Sequence, residues 1–320
     1  VKTWIDFEAA PVFAIPLTDP LSGVTVWEGM LIEGPQGWGE FSPPTGCDDR
    51  QAGRWLTAAI EVGTVGWPDP RRGRVPVAVT VPAVSPQRAR ELVAEAGCRT
   101  AAVCVGEDAL DADLARLEAV RDALGPAAAI RCDANGRWDA DTAIAAIPGL
   151  DRAAGGLEFV EQPCRTLEEV AAVRRRVDVP IAVDQSLREG ANPRAVAASA
   201  DIAVLTVGAL GGVRRALRVA EICGIPCAVA AEVESSVGMS GGLALAGVLD
   251  DIGYASAVGG VRLLSADVVS AGRSLLPRDG YLPVAPMPPA PDPGLVARFA
   301  ATPDREAWWR QRLLAAQAYL

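Results

Sequence analysis

Residues 130–136 read IRCDANG, an apolar run that ends in an acid and breaks into a turn. The same grammar returns in LEFVEQP (157–163) and in IAVDQS (181–186). In each, a short strand candidate delivers one carboxylate, Asp133, Glu161 or Asp184, to its C-terminal end. Consecutive acids stand 28 and 23 residues apart, about one strand–helix unit each. Further strand candidates lie at 75–81, 100–105, 128–133, 202–207 and 226–230, with helical spacing between them. A weak eighth strand is expected at 254–258. Strand–helix units repeating over such a span predict an α/β chain, a (β/α) barrel whose reacting groups sit at the C-terminal strand ends.

Outward from this ladder the pattern changes. Val24–Glu33 and Trp38–Phe41 read as strands around a Gly-Pro-Gln-Gly turn, and Asp48–Val62 has helical spacing with acids at its start. The run Trp67-Pro68-Asp69-Pro70 closes this α+β unit. A proline-rich stretch at 283–293 and two helical pieces, 295–301 and 305–320, end the chain.

Composition narrows the chemistry. Among 320 residues there is no histidine and one lysine, Lys2, so imidazole catalysis, His-ligated zinc, a P-loop lysine and a Schiff-base lysine are excluded. A net charge of −10 argues against nucleic acid as a partner. No apolar run is long enough to span a membrane, no signal peptide is read, and the seven cysteines form no CxxC pair. A cytoplasmic protein with buried thiols and a small-molecule substrate is expected. Composition says nothing of oligomeric state.

Any one of the three acids could merely cap the next helix. Three at the same phase on neighbouring strands make an oxygen-only site for a hard cation, Mg²⁺ or Mn²⁺, because such a cluster of like charges needs a counter-charge. Asn135 reads as a turn residue beside that site.

The motifs GWGEFSP (37–43), GCRTA (97–101), DANGRWD (133–139), EFVEQPC (158–164), VPIAVDQS (179–186), GALGGVRRAL (208–217) and SSVGMSGGLALA (235–246) resemble the o-succinylbenzoate synthase family of the enolase superfamily. The resemblance implies a modified TIM barrel at 76–280, an N-terminal α+β capping domain at 1–75, and a segment at 281–320 that returns to it. It also implies that Asp133, Glu161 and Asp184 bind Mg²⁺, which in the superfamily stabilises an enolate while a lysine or histidine moves the proton. Those lysines are missing. The family's Lys-x-Lys pair falls on Ala102 and Cys104 in TAAVCV, and its lysine ending the sixth strand falls on Thr206 in AVLTVGALGG. Drift to an arginine-rich composition would have kept the cation. Gln185 stands where the family usually has Glu, and Glu232 in AAEVESS is an added acid after the seventh strand. The capping loops, LTDPLSG (17–23) and FSPPTGCDD (41–49), lack the arginine-bearing and aromatic residues the family's substrate loops would supply.

Cys104, Thr206 and Glu232 are therefore the expected catalytic set, and Ala102, Gln185 and Ser235 the expected substrate-binding set. Each has a plain alternative: Cys104 as a small buried side chain, Thr206 as packing, Ala102 as empty space, Glu232 as a solvated loop acid. Three functions compete. The first is a metal-dependent lyase or cyclase performing a low-barrier dehydration, decarboxylation or cyclisation in specialised metabolism. The second is a residual o-succinylbenzoate synthase, and the third a non-catalytic binding barrel. Retention of all three acids favours a working metal site over the third, and the absent lysines count against the second.

Overall fold

The computed structural model describes residues 5–320; Lys2 lies outside them. The chain begins with an antiparallel sheet, β1 (Val12–Leu21), β2 (Val24–Gly34) and β3 (Gly37–Phe41), backed by α1 (Asp49–Thr64). Helix α1 starts where the acids predict. The Asp48 carboxylate accepts from Gln51 N at 2.7 Å while Asp48 N donates to the Gln51 side chain at 3.0 Å, a reciprocal cap. Sequence reading offered no strand over β1, whose Pro16 and Pro20 interrupt its pattern.

The expected single strand at 75–81 is two. β4 (Arg74–Pro76) pairs antiparallel with β12 (Tyr281–Pro283), and β5 (Ala78–Val81) opens the parallel sheet. Pro76 has no N–H to continue one ladder across the bend. The chain then alternates through α2 (Pro86–Ala96), β6 (Thr100–Cys104), α3 (Leu110–Leu124), β7 (Ala129–Asp133), α4 (Ala140–Ala154), β8 (Val160–Glu161), α5 (Leu167–Arg174) and β9 (Ile181–Val183). It continues with α6 (Gln185–Glu189), α7 (Pro193–Ser199), β10 (Ile202–Thr206), α8 (Val207–Leu210), α9 (Val213–Cys223), β11 (Cys227–Ala230) and α10 (Ser236–Val248). After β12, α11 (Pro293–Arg298) and α12 (Pro303–Gln317) end it.

Strands β5 to β11 lie in sequence order in one curled parallel sheet. The weak eighth strand is reduced to bridges. Ser256 N donates to Pro76 O and Ala78 N to Ser256 O, while Ala257 N donates to Val229 O and Ala231 N to Ala257 O. Two residues thus bond to both edges of the sheet. Along each strand alternate side chains point inward, and Phe159, Ala182, Ile202, Val204 and Ala228 pack together as the interior layer. The next inward positions toward the C-terminal ends are Cys104, Asp133, Glu161, Asp184 and Thr206.

The N-terminal sheet is fastened over that end. Asp19 of β1 pairs with Arg88 of α2 at 2.9 Å, and Glu61 of α1 accepts from Val213 N at 2.6 Å. Gly208 is a close approach: a Cβ there would lie 2.2 Å from the Trp55 ring of α1, so no side chain fits. Helix α12 returns to α1, with Trp309 buried edge-on against Phe41 at 5.9 Å between ring centroids.

Candidate active site

Strand register brings the three acids together. Asp133 is paired with Cys104 on one side and Glu161 on the other, and Glu161 is paired with Ala182, two residues before Asp184. Gln162, held at φ 41°, sets the next turn. Its amide oxygen accepts from Asp184 N and Ser186 N, both at 3.2 Å, and its nitrogen donates to Cys164 O and Ser186 Oγ. This clamp fixes where Asp184 leaves β9. Asn135, at φ 48°, turns its own N–H back onto Asp133 Oδ1 at 2.8 Å.

All three carboxylates line one cavity of about 160 Å³. Ala102, Cys104, Thr206, Glu232 and Arg188 share its wall, and Leu21, Ser22, Val24 and Trp27 of the β1–β2 hairpin cover it. Ser22 donates to Glu107 at 3.0 Å, and Arg137 bridges to the same carboxylate at 3.0 Å, so the hairpin tip is bonded to the loops after β6 and β7. A larger groove of about 500 Å³, lined by Trp38, Leu243, Met287 and neighbours, contains no strand-end acid.

The electrostatics are those of acids crowded with little solvent. Burial, with Asp184 adding like charge and Asn135 N–H opposing, pushes Asp133 up to about 6. Burial and the charges of Asp133 and Asp184 hold Glu161 well above the usual carboxylate range. No hydrogen-bond donor reaches the Glu161 side chain among the described residues. Asp184 differs, because Thr206 Oγ1 donates to its Oδ1 at 3.2 Å and Arg188 Nη1 to its Oδ2 at 2.9 Å. The other Arg188 nitrogen pairs with Glu232. Burial works against the Arg188 cation, but Glu232 and Asp184 more than compensate and raise it above its ordinary value. A second guanidinium, Arg131, lies two residues before Asp133 in the interior layer, over the Phe159 ring at 5.0 Å.

The expected residues divide. Ala102, Cys104, Thr206 and Glu232 do gather at one cavity, but two of them differ chemically from expectation. Burial, then the neighbouring carboxylates, pushes the Cys104 thiol well up, which leaves it no ready thiolate. Glu232 is neither a free base nor a solvated acid, since Arg188 holds it. Gln185 falls outside the cavity because α6 turns it toward the cap–barrel seam, where it lines a second cavity with Cys47, Gln51 and Trp55. Ser235 is fully buried and donates to Glu40, so it faces the seam and not the cavity. Arg188 escaped the sequence reading as one arginine among 29. The available signal was its spacing, i+4 from Asp184 on a short helix.

An oxygen-only trio with open lone pairs on Asp133 and Glu161 is chemically suited to a hard divalent cation. Among the described residues, however, no three His, Cys, Asp or Glu side chains are gathered closely enough to hold a metal ion. The Asp184 carboxylate is committed to Thr206 and Arg188. All seven cysteines are free thiols. Among the described residues no helix is long and apolar enough to cross a membrane.

Comparison with known proteins places this geometry. Residues 85–299 match the enolase C-terminal domain-like family and residues 12–63 the enolase N-terminal domain-like family. An o-succinylbenzoate synthase of Thermobifida fusca is 49% identical over 310 residues, covering 96% of this chain and 95% of that one. The chain belongs to the o-succinylbenzoate synthase family of the enolase superfamily. A second o-succinylbenzoate synthase, from Mycolicibacterium smegmatis, is 42% identical and covers 98% of this chain and 96% of its own. Among solved structures, the muconate lactonizing enzyme of Pseudomonas fluorescens complexed with muconolactone superposes with a TM-score of 0.77. At 20% identity, covering 93% of this chain and 98% of that one, it shares the fold. This family member is an enzyme of a superfamily of lyases and isomerases that typically depend on a divalent metal, and it carries no lysine at positions 102, 104 and 206.

Proposed function

We propose that this chain is a metal-assisted lyase or cyclase that keeps the superfamily's carboxylate mouth and has lost its lysine proton-transfer groups. Its reaction is a dehydration, decarboxylation or cyclisation with a low intrinsic barrier, on a small carboxylate or carbonyl substrate. One observation carries the reading. Three carboxylates line a cavity whose wall carries Ala102, Cys104 and Thr206 and no lysine. Brought closer than they stand in this structure, Asp133, Glu161 and Asp184 would hold Mg²⁺ or Mn²⁺, which would supply Lewis-acid polarisation of a bound oxygen.

The chain's own residues do the rest. Leu21, Val24 and Trp27 cover the reacting group and exclude water. Thr206 Oγ1 orients Asp184, and the Arg188–Glu232 pair sets the charge of the wall. Removing long cationic side chains leaves a wider, more apolar wall at Ala102, Ala230 and Ala257. That wall favours a substrate bulkier and more apolar than the family's own.

The test is turnover of the o-succinylbenzoate synthase substrate. The unmodified protein should run ~10²–10⁴-fold below an enzyme with its general base. Cys104→Lys combined with Thr206→Lys should recover part of that loss. Ordinary turnover by the unmodified protein would replace this reading with a residual o-succinylbenzoate synthase, which the 49% identity favours.

A further inference from the structure

The carboxylate mouth already contains a cation. Arg188 Nη1 lies 2.9 Å from Asp184 Oδ2, and its other terminal nitrogen pairs with Glu232 beyond β11. Thr206 takes the remaining Asp184 oxygen. The Asp184 and Glu232 side chains are 10% and 20% exposed and that of Arg188 27%, so water does little to weaken these contacts. The turn that carries Arg188 is anchored, because its carbonyl accepts from Arg54 Nη2 of α1 at 2.7 Å. Arg188 is also a partition. It lines the carboxylate cavity and the seam cavity of about 200 Å³ with Cys47, Gln51 and Gln185. The guanidinium therefore has adjoining space to enter.

We propose that Arg188 is a resident counter-cation that a divalent metal must displace from Asp184. The affinity of the mouth for metal is then set by the Arg188–Asp184 contact. A guanidinium hydrogen-bonded to a carboxylate oxygen and an ion coordinated to that oxygen compete for the same lone pairs. Asp133 and Glu161 keep open oxygens, whereas Asp184 must first be released. The inference rests on the metal reading given above, and it assigns to Arg188 a positioning role exerted through Asp184.

The experiment is a calorimetric Mg²⁺ titration of the full chain, of Arg188→Met and of Arg188→Lys, with Asp133→Ala as the control lacking a ligand. Arg188→Met should bind Mg²⁺ about tenfold tighter than the unmodified protein. Arg188→Lys, which cannot bridge two carboxylates as the planar fork does, should fall between them. The rise in Tm on adding Mg²⁺ should likewise be larger in both variants than in the unmodified protein. Binding by Arg188→Met alone supports the proposal. Equal affinity in all three overturns it and leaves the metal reading standing; no binding in any of them overturns both. Should Arg188→Met fail to fold, Arg188→Lys decides: affinity no tighter than the unmodified protein's overturns the displacement.

Discussion

Glu40 and Glu161 are equally withdrawn from solvent, 7% and 8% exposed, and the fold treats them in opposite ways. Glu40, at the cap–barrel seam, is saturated. Ser42 Oγ donates at 2.7 Å, Gly238 N at 3.2 Å, Trp27 Nε1 at 3.3 Å, and Ser235 Oγ donates as well. Glu161, at the barrel mouth, receives no donor among the described residues and has two carboxylates as neighbours. A buried acid placed for architecture collects the hydrogen bonds that repay its lost hydration. An acid left buried, unpaired and crowded keeps that deficit. Burial alone therefore does not tell these two carboxylates apart; their donors do.

The comparison breaks most readily under truncation. Glu40→Ala strands four donors and should cost about 3 kcal/mol of stability in urea unfolding. Glu161→Ala removes no hydrogen bond and should cost less than about 1 kcal/mol. Equal losses would mean that Glu161 is also a structural acid.

A smaller effect sharpens the contrast through pH. Burial raises Glu40 from its ordinary 4.5, against the pull of its four donors. The folded state thus prefers the protonated form, and the sign follows: stability associated with Glu40 is full below about 4.5 and declines as pH rises through the folded-state value. Glu40→Gln cannot ionise, so its stability-against-pH curve should lack this decline above pH 4.5. Parallel curves would show Glu40 to be ionised at little cost.

The smallest effect concerns Cys104, a group of the mouth that resembles Glu40 in burial but lacks its role. At 7% exposed it should resist alkylation by iodoacetamide in the native state, read by mass spectrometry. Cys104→Ala should change stability by about 1 kcal/mol or less. Rapid native labelling at this position would return Cys104 to the reacting groups.

The positions of Asp133, Glu161 and Asp184 were legible because the grammar that places them is local: an apolar strand, an acid, a turn. The Asp48 cap on α1 was legible for the same reason, since its partner, Gln51, is three residues away. Strand β1 was not, because its prolines spoil the alternation and its pairing with β2 makes it a strand. The eighth strand was only faintly legible, and Ser256 and Ala257 count because both sheet edges need partners.

The mouth repeats this division. From the sequence alone come the three carboxylates, the absence of lysine at 102, 104 and 206, and the phase that gathers the acids, all properties of residue type and short-range spacing. The tertiary structure alone decided that Ser235 belongs to Glu40, that Gln185 faces the seam, and that Arg188 stands between Asp184 and Glu232. Ser235 and Glu40 are 195 residues apart, and Arg188 and Glu232 are 44. No periodicity links such positions. Partner choice between charged groups depends on which strand ends the closed sheet brings within a few ångströms, where a guanidinium otherwise read as one more solvated arginine becomes the counter-charge of the site.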